Sequence, residues 1–129
     1  VYFGGIVLFT LGVEAQFKAS HSMPLPDGTQ GPQHEHCWAV TVEVCGDKPQ
    51  GSGVVIYFAQ VKSRLTNVIM TLNETVLDES EYFRDKGASA ETVAEYIFER
   101  LEPILPKEVQ LKSVNVSEQV GCWGVYSKK

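Results

Sequence analysis

The residues of this chain best suited to chemistry are its histidines, of which there are only three. His21 closes one alternating stretch, and His34 and His36 open another in Gln33-His34-Glu35-His36-Cys37-Trp38. Stepping back by twos from His21 gives Ala19, Phe17, Ala15 and Val13. Stepping forward from His34 gives His36, Trp38, Val40, Val42 and Val44. Side chains two apart share one face of a strand. Each imidazole therefore sits at the margin of an apolar face, where a neutral metal ligand is useful and a solvated histidine is out of place. An H-x-H pair aims two nitrogens to one side, and a third histidine from another strand completes the set. Three protein ligands leave one position of a tetrahedral zinc ion open to water or substrate. The competing reading is core histidines with satisfied hydrogen bonds, since H-x-H alone is a common pattern. That the chain has no other histidine favours the metal.

A carboxylate belongs beside this set. Continuing the parity of Val114 and Val116 brings Glu118 to the end of an apolar strand face. A partly buried carboxylate needs donors or a cation. A ring edge carrying N–H beside NH2, as in pterins and guanines, supplies two parallel donors that a carboxylate accepts together. The alternative is a strand-end glutamate in solvent.

The elements that must position these groups follow from periodicity and breakers. A first strand is expected from about Ile6 to Ser20, then a loop over 22–33 dense in Pro and Gly and therefore irregular. A second strand, His34 to Cys45, ends at the turn 46–51. Val54, Phe58, Val61, Leu65, Val68, Ile69 and Leu72 form a helical stripe. The segment from Asn73 to Gly87 is polar and reads as a connection. Ser89 is placed to cap a second helix, with Glu91 in its first turn, Val93, Ile97 and Leu101 on its apolar face, and Pro103 and Pro106 ending it. Val109 and Leu111 change parity with Val114 and Val116, which predicts a bulge, and 121–126 finishes the sheet. The order is ββααββ. It predicts an α+β fold in which sequence-adjacent strands pair as hairpins in a four-stranded antiparallel sheet, with both helices on one face.

Bulk properties set the limits. No linker or repeat divides residues 1–129, so one domain is expected, and 43% hydrophobic and 21% charged residues describe an ordinary globular chain. A net charge of −5 with scattered Lys and Arg offers no stripe for nucleic acid. Cys37, Cys45 and Cys122 form no C-x-x-C, which predicts a reducing, cytoplasmic setting. Cys37 and Cys45 face away from His36 and read as packing residues rather than ligands. The apolar start is too short to span a membrane and lacks a basic n-region. Residues 1–5 read as a cloning remnant, with Ile6 onward approaching the first strand.

Taken together, the ββααββ order, Phe17-Lys18-Ala19-Ser20-His21, His34-x-His36 and Val114-Asn115-Val116-Ser117-Glu118 resemble the 6-pyruvoyl-tetrahydropterin synthase family. That family includes the 6-carboxy-tetrahydropterin synthases of queuosine biosynthesis. The resemblance runs from about Leu11 to Tyr126 and includes 53–58 and 91–97. It implies a tunnelling fold, in which sheets from three subunits close a barrel and two trimers stack into a homohexamer. It also implies zinc held by His21, His34 and His36, a pterin ring anchored by Glu118, and a pocket lined by Ser89, Ala90 and Glu91.

The departures fall on the chemistry. Family members usually read C-x-x-x-H-G-H, and the cysteine takes a proton from the substrate side chain; here that position is Gln30, and the Gly is Glu35. Asp27 is the sole ionisable residue of the 22–33 loop, so a substitute glutamate is missing as well. The family's Leu-Asp-His relay aligns with Leu72-Asn73-Glu74, and the Pro-Thr pair before the second helix is Ala88-Ser89. General acid–base groups contribute ~10²–10⁴-fold each. The pattern therefore implies a divergent homologue that binds a pterin-type ligand at a zinc site and lacks the ordinary reaction. Three alternatives stand beside it: a lyase on dihydroneopterin (tri)phosphate with Glu74 or a metal-bound water as substitute base, a non-catalytic pterin- or purine-binding protein, and a structural hexamer with a decayed site.

Overall fold

The computed structural model describes residues 8–48 and 52–128. The proposed remnant at 1–5 and the start of the first strand at Ile6 lie outside them. Strict alternation makes two long strands, β1 (Phe9–His21) and β2 (His34–Gly46), each of 13 residues. They pair antiparallel without interruption from Phe9 opposite Gly46 to His21 opposite His34. Each runs one residue beyond its expected end. Because the side-chain period is two, a one-residue slip would send Val13, Phe17, Trp38 and Val42 to solvent, so burial fixes the register.

The loop between them is more ordered than its composition predicts. Leu25 N–H donates to the Thr29 carbonyl at 2.6 Å and Gly31 N–H to that of Met23 at 2.8 Å, with Pro24 bridged to Gln30. Gly28, at φ 89°, makes the left-handed turn that lets this small hairpin close.

The first helix, α1 (Phe58–Ile69), is shorter than its apolar stripe. Val54 and Phe58 are exposed, and the neighbouring Val55 and Ile56 enter the core instead. Val61, Leu65, Val68 and Ile69 form the buried face, as the spacing predicts.

After α1 the chain departs from the expected order. The segment read as a connection contributes β3 (Thr75–Val76), parallel to β1 at Ala19–Ser20, and a 3-10 turn at Leu77–Glu79. Its cause is local. Glu74 adopts φ 59°, and its N–H reaches the Lys18 carbonyl at 2.6 Å, while Asn73 Oδ1 accepts the Lys18 N–H at 3.0 Å. Exposed backbone groups on the β1 edge are thereby paired.

Ser89 caps the second helix, α2 (Ala90–Leu101), its Oγ accepting the Thr92 N–H at 3.2 Å. The expected bulge is present in β4 (Gln110–Gln119): Glu43 faces Ser113 and Val44 faces Leu111, leaving Lys112 unpaired against β2. Strand β5 (Cys122–Tyr126) completes a five-stranded sheet of order β3-β1-β2-β4-β5, mixed rather than purely antiparallel. Both helices pack on one face of it, over a core that includes Trp38, Phe98, Leu65 and Ile97. Cys37 is exposed and Cys45 half-buried, so of the two expected packing residues only Cys45 is even partly covered. No helix among the described residues is long and apolar enough to cross a membrane.

Candidate metal centre

The β1–β2 register assembles the histidines. His21 lies opposite His34, and Ala19 lies opposite His36, so all three rings project from the helix-covered face at one end of the sheet. One nitrogen from each falls within 4.8 Å of the others. Ring centroids are 4.6 Å apart for His21–His34, 5.4 Å for His21–His36 and 4.5 Å for His34–His36, with each pair near edge-on. Trp38 forms the floor, 4.9 Å from the His21 ring, and its Nε1 donates to the Ala19 carbonyl at 3.1 Å.

Hydrogen bonds fix which nitrogen is free on two of the three rings. A carbonyl only accepts, so His21 Nδ1, 2.6 Å from the Ala88 oxygen, carries the proton of the neutral ring. His34 Nδ1 meets the Pro32 oxygen at 3.1 Å in the same way. Both Nε2 lone pairs are left for a ligand, an arrangement by which carbonyls commonly orient metal-bound imidazoles. For His36, burial first and then electrostatic repulsion from the neighbouring His34 imidazole hold the pKa below the ordinary imidazole value. Attraction from Glu118 opposes this, and His21 adds to the lowering.

Glu118 reaches the same place from β4. Its Oε2 lies 3.0 Å from His21 Nε2, with His21 fully buried and the glutamate side chain 30% exposed. Yet neither buried atom has a hydrogen-bond partner. The short distance and the missing bond are compatible, since with Nδ1 protonated the neutral ring presents a lone pair to a carboxylate lone pair. Such an encounter calls for a cation or a donor. A zinc ion needs three nitrogens at ~2.0–2.1 Å, so the observed cluster requires a modest closure, and its donor set suits the ion.

The remaining sequence candidates separate into two groups. Ser89 and Glu91 line a cleft of about 580 Å³ that also holds Ser22, Gln30 and Asp78. Ser89 follows Ala88, whose carbonyl holds His21, so the helix cap and this candidate ligand are tied together. Glu74 is exposed and lines a different cleft with Thr71, Leu72 and Tyr96. Asn73, which the resemblance sets at the relay position, accepts the Lys18 backbone N–H at its Oδ1. Cys37 lies on the other face, 3.7 Å from Gln16 Oε1. Two participants escaped sequence reasoning. The Ala88 carbonyl is backbone and leaves no residue signal, and Asp78 sat unremarked in the segment read as a connection.

Comparison with known proteins points one way. The family profile described as 6-pyruvoyl tetrahydropterin synthase matches residues 10–129. A human 6-pyruvoyl tetrahydrobiopterin synthase is 35% identical over 81 residues, covering 61% of this chain and 56% of that protein. A Caenorhabditis elegans relative named for the same activity is 28% identical over 93 residues, covering 71% and 65%. The chain thus spans less than two thirds of either relative's length. The structure of Caenorhabditis elegans 6-pyruvoyl tetrahydropterin synthase superposes with a TM-score of 0.83 at 22% identity, covering 96% of this chain and 98% of that one. The Plasmodium vivax protein gives 0.74 at 23% identity, covering 96% and 99%. These structures share its fold.

Proposed function

The chain belongs to the 6-pyruvoyl tetrahydropterin synthase family, and from that membership we infer that it binds a pterin-type ligand beside a zinc ion held by His21, His34 and His36. The observation that carries this reading is the unpartnered pair, His21 Nε2 and Glu118 Oε2, at the rim of the three-nitrogen cluster. A cation satisfies the first atom, and a ring N–H satisfies the second. Glu118 then accepts the two parallel donors of a pterin edge, while Ser89 and Glu91 bound the cleft that receives the rest of the ligand. Zinc, when bound, polarises oxygens of the ligand side chain.

The ordinary reaction is expected to be weak. Gln30 cannot accept a proton from carbon, and Asn73 neither titrates nor is free of the Lys18 backbone. Glu74, the substitute base the sequence offers, is exposed, and the cleft it lines is not the one that holds Ser89 and Glu91. A homohexamer made of two trimers accords with the sheet's open edge at β5, where Trp123 and Val125 are exposed.

Three measurements on metal-replete protein test the reading. Elemental analysis should find about one zinc per chain, and calorimetry should detect binding of 7,8-dihydroneopterin. Turnover of 7,8-dihydroneopterin triphosphate should fall at least ~10²-fold below a family enzyme. A protein without zinc, or with family-like turnover, would overturn it.

A further inference from the structure

The cleft beside the histidines contains a carboxylate that none of the family correspondences employs. Asp78 stands in the 3-10 turn after β3, half-buried, and lines the cleft together with Ser22, Gln30 and Ser89. Its Oδ2 accepts the Ser22 N–H at 2.7 Å and the Ser22 Oγ–H at 3.4 Å. Among the described residues, Oδ1 accepts no hydrogen bond. Ser22 directly follows the buried ligand His21, so this carboxylate is anchored to the residue next to the metal cluster.

Gln30 takes part in the same arrangement. Its Nε2 donates to Ser22 Oγ at 2.5 Å, and the small hairpin closed at Gly28 delivers it there. An oxygen that accepts from the amide has its own hydrogen left to donate toward Asp78. The residue at the family's cysteine position therefore cannot act as a base, but it orients the hydroxyl that holds one. Two donors fix Oδ2, and Oδ1 of this cleft-lining carboxylate is left without a donor among the described residues.

We propose that Asp78 is the general base of this site, with Ser22 and Gln30 as positioning residues. The assignment rests on the pterin reading above. In the minimal step, the C–H bond of the side-chain carbon attached to the pterin ring breaks. Its proton forms an O–H bond at Asp78 Oδ1, and the electron pair delocalises into the adjacent ring C=N. Return of a solvent proton to that carbon restores the ligand, so the step is an exchange that needs no other reactant.

The test uses zinc-loaded full chain with 7,8-dihydroneopterin in D2O, following loss of that C–H signal by NMR alongside calorimetric affinity. Asp78→Asn keeps an oxygen for the Ser22 N–H but loses basicity. Exchange should drop ~10²-fold or more, with affinity within about threefold, a change of under ~1 kcal/mol. Glu74→Gln should exchange at the wild-type rate. Ser22→Ala, which keeps the 2.7 Å backbone contact, should slow exchange roughly 3- to 10-fold at unchanged affinity, the scale of one hydrogen bond. Ser22→Ala decides the matter if Asp78→Asn does not fold. Wild-type exchange in Asp78→Asn, or in Ser22→Ala should Asp78→Asn not fold, overturns the assignment. So does a wild-type protein that binds the pterin without exchanging it, and that result leaves the binding reading intact. Failure of the wild type to bind any pterin removes both.

Discussion

Replacing Glu118 by glutamine should make the metal-free protein more stable and its grip on a pterin weaker, and both signs come from one contact. His21 Nδ1 donates to Ala88, so the neutral ring meets Glu118 Oε2 lone pair to lone pair at 3.0 Å, with both atoms buried and unpartnered. A glutamine amide offers an N–H to that nitrogen. An unpaired buried polar atom costs ~1–3 kcal/mol. The Glu118 side chain is 30% exposed, which lets water relieve part of the penalty, and ~1 kcal/mol is the expected gain. In a domain of this size that raises Tm by about 3–6 °C. For the ligand, one charge-assisted hydrogen bond is lost at ~1.5–3 kcal/mol, so Kd should rise ~10- to 100-fold. Thermal melts of metal-stripped protein at about pH 8.5, roughly two units above an ordinary imidazole, measure the first effect, and calorimetry with 7,8-dihydroneopterin measures the second. Zinc loading should erase the stability gain, because the ion then takes the His21 lone pair. A metal-stripped variant less stable than wild type would refute the reasoning, since it would mean that a proton already bridges the two atoms.

Other expectations are more direct. His36→Ala should remove one of three nitrogens and reduce zinc, read by elemental analysis after desalting, from about one per chain to near none; retention of the ion would show that it sits elsewhere. Acid should destabilise the metal-free protein through His36. Its folded pKa lies below the ordinary value of 6.5, so the unfolded chain binds the proton more readily. Stability present above 6.5 is then lost as the pH falls through the folded value. Urea melts that stay flat across that window in wild type, or that slope equally in His36→Ala, would contradict this origin. Ser89→Ala should cost ~1 kcal/mol of stability through the lost cap. It should also weaken zinc binding, because Ser89 anchors the segment whose Ala88 carbonyl orients His21; a stability loss with unchanged zinc affinity would separate the two roles.

What the sequence discloses here is what repeats at short range. The period of two in β1 and β2 is enough by itself to place His21, His34, His36 and Trp38 on one face, and the same parity carries Glu118 to that end of the sheet. The cap at Ser89 and the bulge beside Lys112 are likewise local signals. Phe58 misled because a stripe records spacing and not where the helix begins; Val55 and Ile56 already fill that part of the core. Strand β3 was invisible because two residues have no period. It forms through a left-handed Glu74 and a backbone edge supplied by β1, more than fifty residues earlier in the chain. Asp78 was missed for a related reason, since its partner Ser22 is 56 residues away.

These ranges of interaction also explain how binding and chemistry can diverge in one site. His21 holds three contacts at once: register with His34, the Ala88 carbonyl 67 residues away, and the face of Glu118. None of them involves Gln30, Asn73 or Glu74. Substitution at those three positions therefore removes none of these three contacts, and each side chain or backbone group has other work. Gln30 orients Ser22, Asn73 pairs the β1 edge, and Glu74 turns the chain into β3. A cluster of three histidines and Glu118 built on strand parity does not depend on the groups at these three positions. The surviving carboxylate in the cleft, Asp78, is held by the backbone of the residue after His21, so any backbone shift that moves that ligand moves the base with it.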